Sequence, residues 1–130
     1  MRFRLTQGQR LKSSSQFEKI FAHNQRRVGQ FMVLWFCKGE NLLPAIGVIA
    51  SRKVGKAVER NRAKRRLREA FRLNQHKFKR YISVVLVARR AILQAKVSEI
   101  KGEFCQLASQ AGITVENAGN NYIKAENRKK

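Results

Sequence analysis

The segment that most constrains this chain runs from Arg52 to Arg72. Its 21 residues carry ten Lys or Arg and two Glu. Within it, Ala63, Leu67, Ala70 and Phe71 fall at i, i+4, i+7 and i+8, a narrow apolar stripe at helical period. Asn61, Arg65, Arg68 and Arg72 lie toward the opposite side. The spacing predicts a helix over about 57–74, packed by one stripe and cationic on the other. Like charges one turn apart destabilise an isolated helix, and Arg65 with Glu69 relieves only part of that repulsion. The apolar stripe must therefore bury against something, and a bound polyanion removes the remaining repulsion as counterions leave. A solvated basic face without a specific partner is the bland alternative, and the charge density argues against it. Arginine outnumbers lysine in the helix, and guanidinium makes planar, bidentate contacts to phosphate and stacks on bases.

The whole chain repeats this bias. Of 130 residues, 29 are Lys or Arg and 8 are acidic, all of them glutamate, for a formal charge of +21. Such a charge speaks to partners and not to fold. Nucleic acid is the leading polyanion, with an anionic membrane surface second. No apolar run is long enough to span a bilayer, and "MRFRLTQGQR" lacks the apolar core of a signal peptide. The expected location is cytoplasmic. Cys37 and Cys105 are too few for a disulfide framework or a zinc site and read as buried free thiols.

An apolar content of 43% fits one globular domain, residues 1–112. In "SSSQFEKIFAHN", Ser15 and Glu18 form a capping-box pattern, and Phe17, Ile20 and Phe21 follow at helical spacing, predicting a helix over about 14–24. "QFMVLWFCK" and "LPAIGVIAS" read as two strands of a hairpin, with Pro44 at the start of the second. "YISVVLVAR" is a third strand. "KVSEIKGEFCQLASQAG" is a last helix with Gly112 as its C-cap. Residues 113–130 read as a disordered polar, basic tail. The order helix, strand, strand, helix, strand, helix gives an α+β fold, an α-β sandwich around one small sheet.

Little in the chain supports catalysis. A metal-dependent nuclease needs clustered carboxylates, yet there is no aspartate and the glutamates are scattered. Glu99 and Glu103 share a helix but flank Lys101 on a face expected to be solvated. His23 and His76 are the only pair for acid–base work without a metal, and both read as surface residues. No residue is assigned a catalytic or metal-binding role.

At "RNRAKRRLREAFR", preceded by "GVIASRKVGKAVE", the sequence resembles the signature of the bacterial ribonuclease P protein component. "LKSSSQFEKIFAH" resembles that family's first helix and "YISVVLVARRAI" its strand after the signature helix, so the resemblance covers about residues 8–110. It implies a ribosomal protein S5 domain 2-like fold, in which a left-handed crossover through the signature helix joins two parallel strands. It also implies a small basic subunit, one per RNA, of an endoribonuclease whose RNA is the catalyst, depends on Mg2+ and removes the 5′ leader from precursor tRNA. The implied contacts to the catalytic RNA are Arg52, Lys53, Lys56, Arg60, Asn61, Arg62, Lys64, Arg65 and Arg68. The implied cleft for the single-stranded leader holds Phe17 and Phe21, with Leu34 or Phe36 from the first strand. Single strands are bound by aromatic faces flanked by positive charge, which agrees independently. A ribosomal RNA-binding protein and a DNA-binding protein remain the competing classes at this stage.

Overall fold

The computed structural model describes residues 9–39 and 43–115. Seven main elements follow in order: α1 (Ser14–Ala22), β1 (Arg26–Val28), β2 (Met32–Lys38), β3 (Ala45–Ile49), α2 (Ala57–Asn74), β4 (Ile82–Ala88) and α3 (Val97–Ala111). The strands form one sheet in the order β1-β2-β4-β3. The α+β sandwich expected from the sequence is therefore present.

The hairpin expected between the first two long strands is not. β2 and β3 lie apart, with β4 between them: antiparallel to β2, with Leu34 opposite Leu86, and parallel to β3, with Val48 opposite Leu86. The physical reason is burial. Val84, Val85 and Leu86 are fully buried, so β4 needs cover on both faces and neighbours on both edges. A parallel pair cannot be closed by a tight turn and needs a long connection, which α2 supplies between β3 and β4. The short strand β1 has no counterpart in the sequence reading. It pairs antiparallel with β2, Arg26 opposite Trp35.

Alternation along the strands splits the apolar residues into two layers. Met32, Leu34, Phe36, Ile46, Val84 and Leu86 join Ala63, Leu67, Ala70 and Phe71 of α2 and Ile100, Phe104, Leu107 and Ala108 of α3 in the main core. Phe71, Phe78 and Phe104 meet there, the last two stacked at 5.5 Å and both edge-on to Phe71. On the other face α1, with Leu11 just before it, places Ile20, Phe17 and Phe21 over Cys37, Trp35, Val85, Val87 and Ile49. Among the described residues one helix covers this face, and Phe17, Phe21, Trp35, Ile49 and Val87 stay partly exposed beside it, lining a shallow trough along the sheet.

Helix ends follow local chemistry. α1 is capped by Ser13, whose hydroxyl accepts from the Gln16 amide, while the Gln16 side chain accepts from the Ser13 amide. The box thus sits two residues ahead of the Ser15–Glu18 pair expected, and Ala22 ends the helix. α3 runs unbroken through Gly102 and ends at Gly112, whose φ of 75° is the left-handed cap that glycine adopts without penalty. Beyond it Ile113 is buried, its carbonyl accepts from the Lys79 amide, and Thr114 bridges Phe78. The folded unit therefore reaches Val115, three residues past the expected boundary, because Ile113 has apolar surface to bury. The remainder of the expected tail lies outside the described residues.

Candidate nucleic-acid interface

The signature helix behaves as its spacing requires. Ala63, Leu67, Ala70 and Phe71 are buried, at 0–1% exposure, and hold α2 rigidly against the sheet and α3. Its start is fixed by Glu59, whose carboxylate accepts from the Lys56 amide at 2.8 Å. Arg60 donates to the Gly55 carbonyl at 3.0 Å, so this arginine braces the preceding loop. Arg66 points the other way, to the Ala95 carbonyl at 3.1 Å. Glu69 pairs with Arg72, not with Arg65 as expected from the sequence. The Arg72 hydrogen bond holds the Glu69 carboxyl below its usual range, against a smaller opposing effect of burial.

What remains outward is Asn61, Arg62 and Arg65, all exposed, flanked by the half-buried Lys64 and Arg68. Among the described residues none of these four cations has an ion-pair partner. At the N-terminal end of the helix a cleft of about 270 Å³ opens between Arg52, Lys53 and Gly55 on one side and Arg90, Leu93 and Gln94 on the other. Of the nine residues expected to contact RNA, Arg52, Lys53 and Lys56 lie on the loop before α2 and the other six along α2, with Arg60 turned back to that loop. Arg90 extends this set from the segment after β4. Sequence reading missed it because it is distant in the chain and carries no motif of its own.

The second candidate surface is the trough beside α1. Phe17 and Phe21 are half-buried there. Phe17 lies directly on the backbone of Gly47, where a Cβ would come within 2.5 Å of its ring, so glycine lets the helix approach the sheet. Phe21 meets Trp35 edge-on at 4.9 Å, and the Arg26 guanidinium lies 5.1 Å over the Trp35 ring. The placement of Leu34 and Phe36 is corrected. They are 0% and 6% exposed and face α2 and α3. Trp35, between them, is the strand aromatic on the α1 face. The run "MVLWFC" is apolar on both faces, so alternation alone does not say which set meets α1; only the packing does. Beneath α1, burial pushes the Cys37 thiol pKa up, with Lys19 opposing.

The acids have structural posts. Glu99 accepts from the Lys96 amide at the start of α3, and Glu103 accepts from the amides of Gln30 and Phe31. Glu99 is exposed, as expected for a solvated face, and Glu103 is half-buried; both also accept from backbone amides. Among the described residues no three His, Cys, Asp or Glu side chains gather into a metal-binding group, and no helix is long and apolar enough to cross a membrane.

The ribonuclease P family model matches residues 5–112. This chain belongs to the ribonuclease P protein family. The ribonuclease P protein component of Clostridioides difficile is 32% identical over 116 residues, covering 88% of this chain and all of that one. The component from Symbiobacterium thermophilum is 37% identical over 105 residues, covering 80% and 91%. The fold agrees with solved ribonuclease P proteins: that of Staphylococcus aureus at a TM-score of 0.73 and 21% identity, covering 82% and 98%, and that of Thermotoga maritima at 0.70 and 24%, covering 83% and 98%.

Proposed function

We propose that this chain is the protein subunit of ribonuclease P. It docks on the RNA subunit through α2 and the loop before it. It holds the single-stranded 5′ leader of precursor tRNA in the trough between α1 and the sheet. The observation that carries this reading is the joint presence of the family match over residues 5–112 and two distinct polyanion-competent surfaces on opposite faces of one sheet.

The two surfaces suit different tasks. α2 offers unpaired cations at fixed spacing, which matches the rigid phosphate lattice of a folded RNA. The trough offers aromatic faces, Phe17, Phe21 and Trp35, with Arg26 and Lys19 at hand. Bases stack on such faces without strict sequence demand. In this reading the chain contributes binding and orientation, and phosphodiester cleavage belongs to the RNA. Mg2+ enters through that RNA, one protein to one RNA.

Leader recognition is tested by the affinity of the RNA subunit for precursor and mature tRNA, with and without the protein. The reading expects the protein to tighten binding of the precursor selectively. Equal tightening of both tRNAs would remove the trough from the function.

A further inference from the structure

The cationic face of α2 continues past the helix. Gln9 is 2% exposed, and its side-chain amide donates to the Pro44 carbonyl at 3.0 Å and to Oε1 of Gln75 at 2.7 Å. These bonds pin the N-terminal segment between the start of β3 and the end of α2. Arg10 then forms a parallel bridge with Ile46, and the Leu11 amide donates to the Ile46 carbonyl at 2.9 Å. Leu11 packs on the α1 layer. Alternation turns Arg10 to the opposite face, beside α2.

There Arg10 faces the flank of α2 that carries Arg68, since Gln75, which Gln9 holds, lies two helical turns beyond Arg68 on the same side. Burial lowers the Arg68 pKa, and the Arg10 charge lowers it further. Among the described residues no carboxylate compensates: Glu69 is engaged by Arg72, and neither Arg10 nor Arg68 has an ion-pair partner. The anchors at Gln9, through its side chain, and at Leu11, through its backbone, thus keep the two like charges on one flank of the free protein. An anion between them converts that repulsion into attraction, and two guanidinium forks suit the oxygens of a phosphate.

We propose that Arg10 and Arg68 clamp one backbone phosphate of the RNA subunit, extending the α2 interface across the β3 edge of the sheet; this rests on reading the chain as a ribonuclease P subunit. The face decides the source of the phosphate. Arg10 lies on the α2 side, away from the leader trough, so the phosphate belongs to the RNA subunit and not to precursor tRNA.

Two measurements test it. In the first, the full chain is bound to the RNA subunit across a salt series as wild type, Arg10→Gln, Arg68→Gln and the double variant. A shared phosphate predicts roughly tenfold weaker binding for each single variant. The double variant should lose little more than the worse single one, and its log–log salt slope should fall by about one phosphate contact. Fully additive losses, no loss, or an effect confined to precursor tRNA affinity would each overturn the clamp. In the second, inorganic phosphate is titrated into the free protein while the arginine Nε–H resonances are followed by NMR. Arg10 and Arg68 should shift with one common dissociation constant, and Arg68→Gln should remove the Arg10 shift. Independent titration of the two arginines overturns the clamp and leaves the subunit reading standing. Failure of wild-type protein to bind the RNA subunit sinks the subunit reading and the proposal with it.

Discussion

Arg65 and Trp35 are the residues whose substitution separates the two surfaces. Arg65 is exposed and has no ion-pair partner among the described residues, so Arg65→Ala should leave the fold intact and remove one proposed phosphate contact. Its expected signature is weaker RNA-subunit binding at every salt concentration and a log–log salt slope lower by about 0.7–0.9, read from a binding series. Trp35→Ala removes the face that Phe21 and Arg26 frame. It should weaken binding of precursor tRNA by about 1–3 kcal/mol while mature tRNA affinity and the RNA-subunit salt slope stay unchanged. Identical losses in both variants would merge the surfaces. The choice of Trp35 marks how far sequence reading carries at this scale. The phenylalanines of α1 were legible from helical spacing and family resemblance. The strand partner was not, because Leu34, Trp35 and Phe36 are all apolar and only tertiary packing tells the faces apart. Glu69 adds a pH dependence with a definite sign. Its carboxyl is held low by Arg72 in the folded state, so its contribution to stability is present above the ordinary glutamate pKa of about 4.3 and is lost as pH falls through the folded value. Glu69→Gln should therefore flatten the acid limb of a thermal-melt series below about pH 4.3 and leave neutral pH little changed, since the pair is largely exposed.

Among the elements, α2 and the β1–β2 turn carry the predictions. Leu67 is fully buried in the stripe that seats α2. Leu67→Ala should cost about 2–5 kcal/mol in chemical denaturation, and RNA binding should fall with stability as the arginines lose their fixed spacing. The turn before β2 is held by Glu103 of α3, which accepts from the Gln30 and Phe31 amides, and by Arg89, which donates to the Gly29 carbonyl at 2.9 Å. Glu103→Ala leaves two amides without their acceptor and should destabilise by about 1–3 kcal/mol. Hydrogen exchange should report faster opening at Gln30 and Phe31, with α2 unaffected; uniform acceleration would mean that the carboxylate supports the whole fold and not the turn. The bounds of α2 and the cap of α3 could be read in advance, since helical period and a C-terminal glycine are local signals. The partner of each strand could not. Adjacent strands usually pair, and nothing local in "LPAIGVIAS" reports that it lies parallel to a strand beginning at Ile82. β1 and the Glu103 clamp are equally long-range: three residues are too few to show a period, and a carboxylate bonded to backbone amides has no sequence signature.

At the scale of the whole molecule, an excess of positive charge meets two chemically different faces of one sheet. The +21 charge opposes compaction of the free protein. Ligands that bind only the folded state stabilise it by linkage, so sulfate or phosphate at constant ionic strength should raise the melting temperature above that in chloride. In the proposed function the docking face and the trough serve different RNAs at once, holding a leader beside an RNA that performs the cleavage. The most direct test is processing of precursor tRNA at low Mg2+ by the RNA subunit alone, by this protein alone and by the two together. The account predicts slow cleavage by the RNA alone, marked acceleration by the pair and none by the protein alone. Cleavage by the protein alone, or no acceleration of the RNA, would contradict it.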